Sequence, residues 1–260
     1  MGRILGPAIA GILLLISYTA PFFFFAAGAF LVILLISFQD APDISVKKEH
    51  SKEISMFDYR VWPFLLVSAG FGICNASLFQ TSSFFFQDVI TPNSQEYVAF
   101  ASIGFMLAGL GVLNGQLLVA DRLQTSPGSL IKLGVIFNSI SLLGFAFSES
   151  LIEAYFCLFL FGLGNGMLGP GISSSLSLSV GKDNQGAAGG FLGTVIPIGH
   201  IASPLISMPL YTFNPSYPYL LGSSLMFFSA IFIFFNSRHR WIRNKNYRDD
   251  RNLEFFEDSQ

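Results

Sequence analysis

Apolar runs long enough to cross a lipid bilayer account for most of this 260-residue chain. A transmembrane helix needs about 17–25 mostly apolar residues. Runs that meet or approach this length occupy residues 4–18, 21–38, 61–86, 97–120, 130–147, 151–180, 186–210 and 217–235. Charged residues make up 12% of the chain, about half of their share in soluble domains. The sequence therefore predicts an all-α membrane protein with eight transmembrane helices.

The basic residues set the orientation of these eight segments. Lys and Arg accumulate on the cytoplasmic side of a membrane. With Arg3 placed in the cytoplasm, threading the eight segments leaves all 14 Lys and Arg on that side. The loops on the other side carry only acidic residues, which are Asp88, Glu96, Glu149 and Glu153. We therefore expect a multi-pass protein with both termini in the cytoplasm.

A charged stretch divides the chain into two groups of helices. Residues 1–38 hold the first two segments, which form an antiparallel pair. Residues 39–60 hold nine charged side chains and read as a solvated cytoplasmic linker. Residues 61–237 hold the other six segments, and residues 238–260 form a tail that is basic first and then acidic. The expected organisation is two helices, a linker, a six-helix bundle and a cytoplasmic tail.

The residues inside the apolar runs exclude several functions. No Asp, Glu, Lys or Arg lies in the middle of a predicted span, although such residues usually mark ion coupling and substrate pathways. Metal and acid–base chemistry use clustered His, Asp or Glu, and the chain has three histidines. A net charge of −2 gives no sign of nucleic-acid binding. We predict no enzyme activity, no metal and no cofactor.

The seventh segment carries the clearest pattern. Its small and helix-bending residues recur at steps of three and four and so form one stripe, which comprises Gly186, Gly190, Gly193, Pro197, His200 and Pro204. Such a stripe favours close contact with another helix. His200 either contacts substrate and exchanges protons, since imidazole titrates near neutral pH, or it is neutral and bonded to a backbone carbonyl.

Four further polar residues are candidates for lining a substrate cavity. Asn75 lies near the middle of the third segment and Gln80 lies one turn further on; Asn114 and Asn165 lie in the fourth and sixth segments. A buried amide needs a partner, which is either another helix or a substrate in a wet cavity. The sixth segment contains Gly169-Pro170-Gly171, where the helix either breaks or bends. The stripe of Gly104, Ala108, Gly111 and Gly115 on the fourth segment predicts helix packing.

Four stretches resemble motifs of one transporter family. The first is Gly2-x-x-x-Gly6-Pro7-x-x-x-Gly11, which resembles the fifth-helix antiporter motif of the major facilitator superfamily, in its drug:proton antiporter branch. Ala10 stands where the family pattern has a glycine. Residues 162–185 and 186–211 resemble the tenth and eleventh helices. Asp121-Arg122 resembles the loop motif between the eighth and ninth helices, without its downstream basic cluster.

The resemblance implies that the eight segments are the fifth to twelfth helices of a twelve-helix fold. The chain would then hold a complete C-terminal six-helix bundle, two helices of the N-terminal bundle and none of the first four. The implied activity of the full-length form is efflux of drug-like or amphipathic small molecules against protons, by alternating access, across the bacterial inner (plasma) membrane. Two alternatives are a truncated, inactive fragment and a half that needs a partner chain to supply the four helices.

Overall fold

The structure is a computed structural model that describes residues 19–38, 54–92, 96–117, 126–180 and 184–235, together with residues 9, 13 and 17. The chain divides into two compact units, Met1–Lys52 and Glu53–Gln260. In the described ranges, seven helices are long and apolar enough to cross a membrane. These helices correspond to the last seven of the eight predicted segments. The first predicted segment, with Gly2, Gly6, Pro7 and Gly11, lies outside the described residues.

The first unit contains helix α1, Ala20–Ser37. Pro21 lies in the first turn of this helix. Backbone N–H groups in the first turn have no acceptor within the helix, so proline, which lacks an N–H, costs no hydrogen bond there. Its large apolar side chains are exposed, with Phe22, Phe30 and Ile33 each more than 60% accessible. An exposed apolar surface of this kind is suited to contact with lipid, because it has no polar atoms to hydrate.

The second unit contains six helices in its described residues. They are α2 (Trp62–Phe85), which continues as a π-helical turn (Phe86–Ile90), α3 (Tyr97–Leu117), α4 (Pro127–Ala146), α5 (Leu151–Val180), α6 (Gln185–Phe213) and α7 (Tyr217–Phe235). Following the largest contacts from one helix to the next gives the order α3, α5, α4, α7, α2 and α6. Helix α2 is the most buried of the six and α6 the least. Helices α3 and α6 thus stand at the two ends of this order.

The possible break in the sixth predicted segment is absent. Helix α5 continues through Pro170 from Leu151 to Val180. Proline removes one backbone hydrogen bond, but Leu168 and Ile172 on either side are buried against the neighbouring helices. Packing on both sides holds the backbone in helical form, as is common in membrane helices.

Helices α3 and α5 pack with their backbones close together. A Cβ atom built on Gly115 would lie 2.6 Å from the carbonyl oxygen of Leu163, and one built on Gly166 would come equally close to α3 at Val112. Real Cβ atoms do not approach this closely, so this contact requires glycine. The sequence predicts that the stripe of Gly104, Ala108, Gly111 and Gly115 on α3 packs against another helix. This prediction is confirmed, and the other helix is α5.

The described basic residues lie at one end of the six-helix unit. Arg60 and Lys132 lie at the end where α2 and α4 begin, which we call the basic end, and Asp58, which pairs with Arg60, lies there too. Asp88, Glu96, Glu149 and Glu153 lie at the other end, which we call the acidic end. At the basic end, Ser179 of α5 donates a hydrogen bond of 3.1 Å to the carbonyl oxygen of Arg60. Ile54 and Met56 pack against the core, so residues 54–60 belong structurally to the second unit.

Candidate functional site

Three buried asparagines form a hydrogen-bonded chain across the centre of the six-helix unit. The Asn138 side chain on α4 donates to Oδ1 of Asn165 on α5 at 3.0 Å. Asn165 donates in turn to Oδ1 of Asn75 on α2 at 2.9 Å, and Asn75 donates to the carbonyl oxygen of Phe71 at 3.0 Å. All three residues are at most 7% exposed. The chain therefore joins three helices in the apolar interior.

This chain accounts for two of the cavity candidates and adds a third residue. Asn75 and Asn165 bond each other, so in this structure they join helices. Asn138 was not among the candidates, although an asparagine in the middle of the fifth apolar run was a visible signal. Its Oδ1 atom has no hydrogen-bond partner among the described residues, and a Cβ on Gly164 would lie 2.6 Å from it. Gly164 thus makes room for the amide.

A second polar contact joins α2 and α6, which run parallel. The hydroxyls of Ser77 and Ser203 lie 3.0 Å apart, and the Ser203 hydroxyl contacts Oε1 of Gln80 at 3.4 Å. Near the middle of both helices, a Cβ on Gly72 would lie 2.7 Å from the carbonyl oxygen of Ile196, and one on Gly199 would lie 3.0 Å from that of Ala69. Gln80, a cavity candidate, is therefore placed at the α2–α6 interface.

The same two helices are also joined at the acidic end. The Tyr211 hydroxyl of α6 donates to Oδ2 of Asp88 at 2.8 Å, and the Tyr211 and Phe84 rings are neighbours, with centroids 6.2 Å apart. A hydrogen bond to an ionised acceptor is stronger than one between neutral groups. Asp88 sits in the π-helical turn that ends α2. It is a carboxylate that connects two helices directly.

The predicted stripe on α6 does not make a helix contact within the described residues. Gly186, Gly190, Gly193, Pro197 and His200 are exposed, and Pro204 is partly exposed. A Cβ built on Gly186, Gly190 or Gly193 would meet no described atom within 4 Å. No described residue packs closely against the glycines of this stripe, so the close contact that the sequence predicts for it stays a prediction. The glycine of α6 that packs is Gly199, which lies on the adjacent, α2-facing side.

His200 stands exposed on this open stripe. Its Nδ1 lies 2.9 Å from the carbonyl oxygen of Ile196, one turn earlier on the same helix. This is the backbone bond that one of the two interpretations expected. If Nδ1 donates to this carbonyl, the neutral ring presents Nε2 as an acceptor. The bond thus leaves one ring nitrogen available on an open face.

Beside the open stripe, α6 has a second exposed face, which is made of large apolar side chains. Ile198, Ile201 and Leu205 are 56%, 72% and 77% exposed and form an apolar strip one residue further around the helix. Large apolar side chains are what a helix presents to lipid. The stripe of glycine, proline and histidine beside them has little apolar area to offer lipid. The two faces of α6 are therefore suited to different surroundings.

The five cavity candidates are not gathered into one site. Asn75 and Asn165 are paired, Gln80 lies at the α2–α6 interface, and His200 is separate. Asn114 is exposed on α3 and donates to the carbonyl oxygen of its own helix at Leu110, at 2.8 Å. Asp121 and Arg122 lie outside the described residues. In the described ranges no three His, Cys, Asp or Glu side chains are grouped as a metal site would require.

The described fold indicates the class of protein. It has seven helices of membrane-spanning length, which pack through glycines, and the polar side chains of the described residues form no metal cluster. This is the arrangement of a multi-pass membrane protein. The family model of the Major Facilitator Superfamily matches residues 1–204. The chain belongs to this superfamily of membrane transporters.

A curated relative agrees with this assignment. The chain is 28% identical over 233 residues to the tetracycline resistance protein, class B, of Escherichia coli. The matched region covers 84% of this chain and 56% of the relative. The chain thus spans about half the length of that protein.

Proposed function

We propose that this chain takes part in the efflux of drug-like or amphipathic small molecules in exchange for protons, by alternating access. Membership of the transporter superfamily supports membrane transport, and the similarity to a tetracycline resistance protein supports drug efflux in particular. The basic end would face the cytoplasm of a bacterial cell, and the protein would reside in the inner membrane. Both described basic residues of the bundle, Arg60 and Lys132, lie at that end, which supports the orientation.

The observation that carries this proposal is the open stripe of α6. No described atom lies within 4 Å of a Cβ built on the glycines of this stripe, so the stripe leaves room for a ligand or for a moving helix. It also carries a histidine, His200, which keeps one ring nitrogen available on the open face. Ser203 lies at the α2-facing edge of the same helix, where its hydroxyl contacts Gln80 of α2. Together these groups would form one wall of a substrate cavity, with His200 as its titratable member.

The asparagine chain has a different role in this proposal. Asn75 and Asn165 would position α2 and α5 behind the cavity wall, because their side-chain amides bond each other in the buried interior. Asn114 on α3 would face the cavity, since it is exposed and bonded only within its own helix. The gating contacts would come from Gly190, Gly193, Pro197 and Pro204 on α6 and from the motif Gly2, Gly6, Pro7 and Gly11. Asp121 and Arg122 would belong to the cytoplasmic loop.

The test is transport in reconstituted vesicles. The chain is placed in lipid vesicles with an imposed pH gradient, and accumulation of tetracycline and of an amphipathic fluorescent dye is followed. The preparation is repeated with a polypeptide that supplies four further helices. We expect gradient-driven accumulation in at least one of the two preparations. Accumulation only in the second would identify a required partner, and accumulation in neither would support a transport-inactive fragment.

Substitution of His200 locates the proton step in the same assay. The variant His200→Ala should shift the pH dependence of transport, because the titratable group on the open stripe is removed. Ser224→Ala is the matched control, since the Ser224 hydroxyl is also exposed and bonds only its own helix at Leu220. Transport by His200→Ala that matches the control at every pH would remove His200 from the mechanism.

A further inference from the structure

The basic end of the six-helix unit carries two aromatic contacts on either side of the end of α7. On one side, Trp62 at the start of α2 packs against Phe232, with ring centroids 5.6 Å apart. On the other side, Nζ of Lys132 lies 5.4 Å from the ring centroid of Phe234. Trp and Lys in these positions are typical of the level where lipid headgroups meet the hydrocarbon. The end of α7 is thus placed at the membrane interface.

The charge of Lys132 is not neutralised within the described part of the chain. Arg60 and Asp58 form an ion pair of 2.9 Å there, in which Arg60 binds both oxygens of the carboxylate. Lys132 makes no ion pair with a described residue, although its side chain is partly buried. A ring face attracts an ammonium group but carries no net charge. An anion is therefore the partner that Lys132 lacks.

The sequence adds further positive charge directly after α7. Two residues separate Phe235 from Arg238, and Arg238, Arg240, Arg243, Lys245 and Arg248 precede the first acidic residue, Asp249. Basic clusters next to a transmembrane helix attract anionic lipids. Charge of one sign thus comes from α4 and from the segment that follows α7.

Apolar surface lies beside this charge. A small cleft between α2, α4, α5 and α7 is lined entirely by apolar residues and proline, among them Phe64, Ile131 and Phe232. Ile131 precedes Lys132 on α4, and Phe232 belongs to the aromatic pair with Trp62. A cationic group next to an apolar surface at the interface suits a molecule with an anionic head and hydrocarbon chains.

We propose that the basic end of α7 binds one anionic phospholipid. Its headgroup phosphate bonds the Lys132 ammonium, and its acyl chains run along α4 and α7 beside Phe232 and Phe234. This site is independent of the transported substrate, because it is on the lipid side of the bundle's end and uses none of the cavity candidates. It would fix the position of α4 and α7 in the membrane.

The test counts bound lipid by native mass spectrometry. The whole protein is released from vesicles of phosphatidylcholine alone or mixed with phosphatidylglycerol. We expect one retained phosphatidylglycerol, with an affinity reduced about fivefold in Lys132→Gln and kept in Lys132→Arg. Arg60→Gln is the matched control, since that guanidinium is already bound by Asp58, and it should retain the lipid. Circular dichroism checks that each variant is folded.

Two outcomes would overturn the proposal. One is equal retention of phosphatidylcholine and phosphatidylglycerol by the unaltered protein. The other is undiminished phosphatidylglycerol retention in a folded Lys132→Gln variant, which would place the lipid elsewhere.

Discussion

Helices α5 and α6 share a sequence pattern but use it in different ways. Both are long, both contain proline, and both carry small residues at steps of three and four. On α5, a Cβ at Gly162 or Gly166 would overlap the backbone of α3. On α6, a Cβ at Gly190 or Gly193 would meet no described atom within 4 Å. The pattern marks a face of a helix, but it does not say what lies against that face.

The position of each helix in the bundle explains this difference. Helix α5 lies between α3 and α4, so its small residues bring two neighbours close. Helix α6 stands at one end of the order; it packs mainly against α2, with smaller contacts to α5 and α7. Its α2-facing side is used for packing through Gly199, and the stripe beside it stays open. We therefore expect glycines on α5 to govern stability and those of the α6 stripe to govern function.

The largest expected effect is a substitution in the packed glycines. Gly162→Val places side-chain atoms where the backbone of Ala108 lies, and overpacking of this kind costs about 3 kcal/mol or prevents folding. Gly169→Val is the matched control on the same helix, because a Cβ there meets no described atom within 4 Å. Thermal unfolding in detergent compares the two. Equal melting temperatures would contradict the packing assigned to α5.

The next effect concerns the chain of buried asparagines, through its central member on α5, Asn165. Asn165→Leu removes two interhelical hydrogen bonds and leaves Oδ1 of Asn75 and the side-chain N–H of Asn138 without the partner they have now, which should cost about 2 kcal/mol. Asn114→Leu is the control, since that amide is exposed and bonds only its own helix. Unfolding in denaturant measures both variants. A loss in Asn165→Leu no greater than in the control would mean that the asparagine chain is not stabilising.

The third prediction separates the two sides of α6. Gly199→Val should destabilise the protein, because its Cβ lies 3.0 Å from Ala69 and Ile73 backbone atoms. Gly193→Val should change the free energy of unfolding by no more than about 0.5 kcal/mol, yet it should reduce transport by filling the open stripe. Unfolding and vesicle flux are measured on both. A destabilised Gly193→Val variant would show that this stripe is packed after all.

The smallest expected effect is a pH dependence of the free energy of unfolding. It comes from the Asp58–Arg60 pair, in the turn whose Arg60 carbonyl binds Ser179 near the end of α5. Hydrogen bonds from Arg60 lower the pKa of Asp58 below its usual value. The ionised carboxylate thus contributes stability at neutral pH, and this contribution is lost as the pH falls below about 4 and through the lowered pKa. The pair lies at the surface and is only partly buried, with side chains 41% (Arg60) and 19% (Asp58) exposed, so solvent screens it and the effect is small. The stability difference between the protein and Asp58→Asn should shrink over this range. A constant difference would contradict the assignment.

The sequence predicted the elements of the fold better than their partners. Apolar runs located α1 to α7 within a few residues, because the bilayer sets the length of each span. The glycine stripe of α3 was correctly assigned to packing. The partner of Asn165, Asn138, lies 27 residues away on another helix, and no spacing within one segment encodes that contact. Gly199 packs against α2 and Gly193 does not. This difference depends on which side of α6 faces α2, and the spacing within α6 does not encode it.

The most direct test of this account compares two neighbouring faces of α6 in a lipid bilayer. Spin labels are attached to cysteines at Gly193, on the open stripe, and at Ile201, on the apolar strip. Collision with oxygen, which concentrates in lipid, is measured against collision with a water-soluble nickel reagent. We predict that the label at Ile201 is reached mainly by oxygen and the label at Gly193 mainly by the nickel reagent. Identical oxygen-dominated profiles at both positions would mean that the stripe faces lipid, which contradicts a cavity wall on α6.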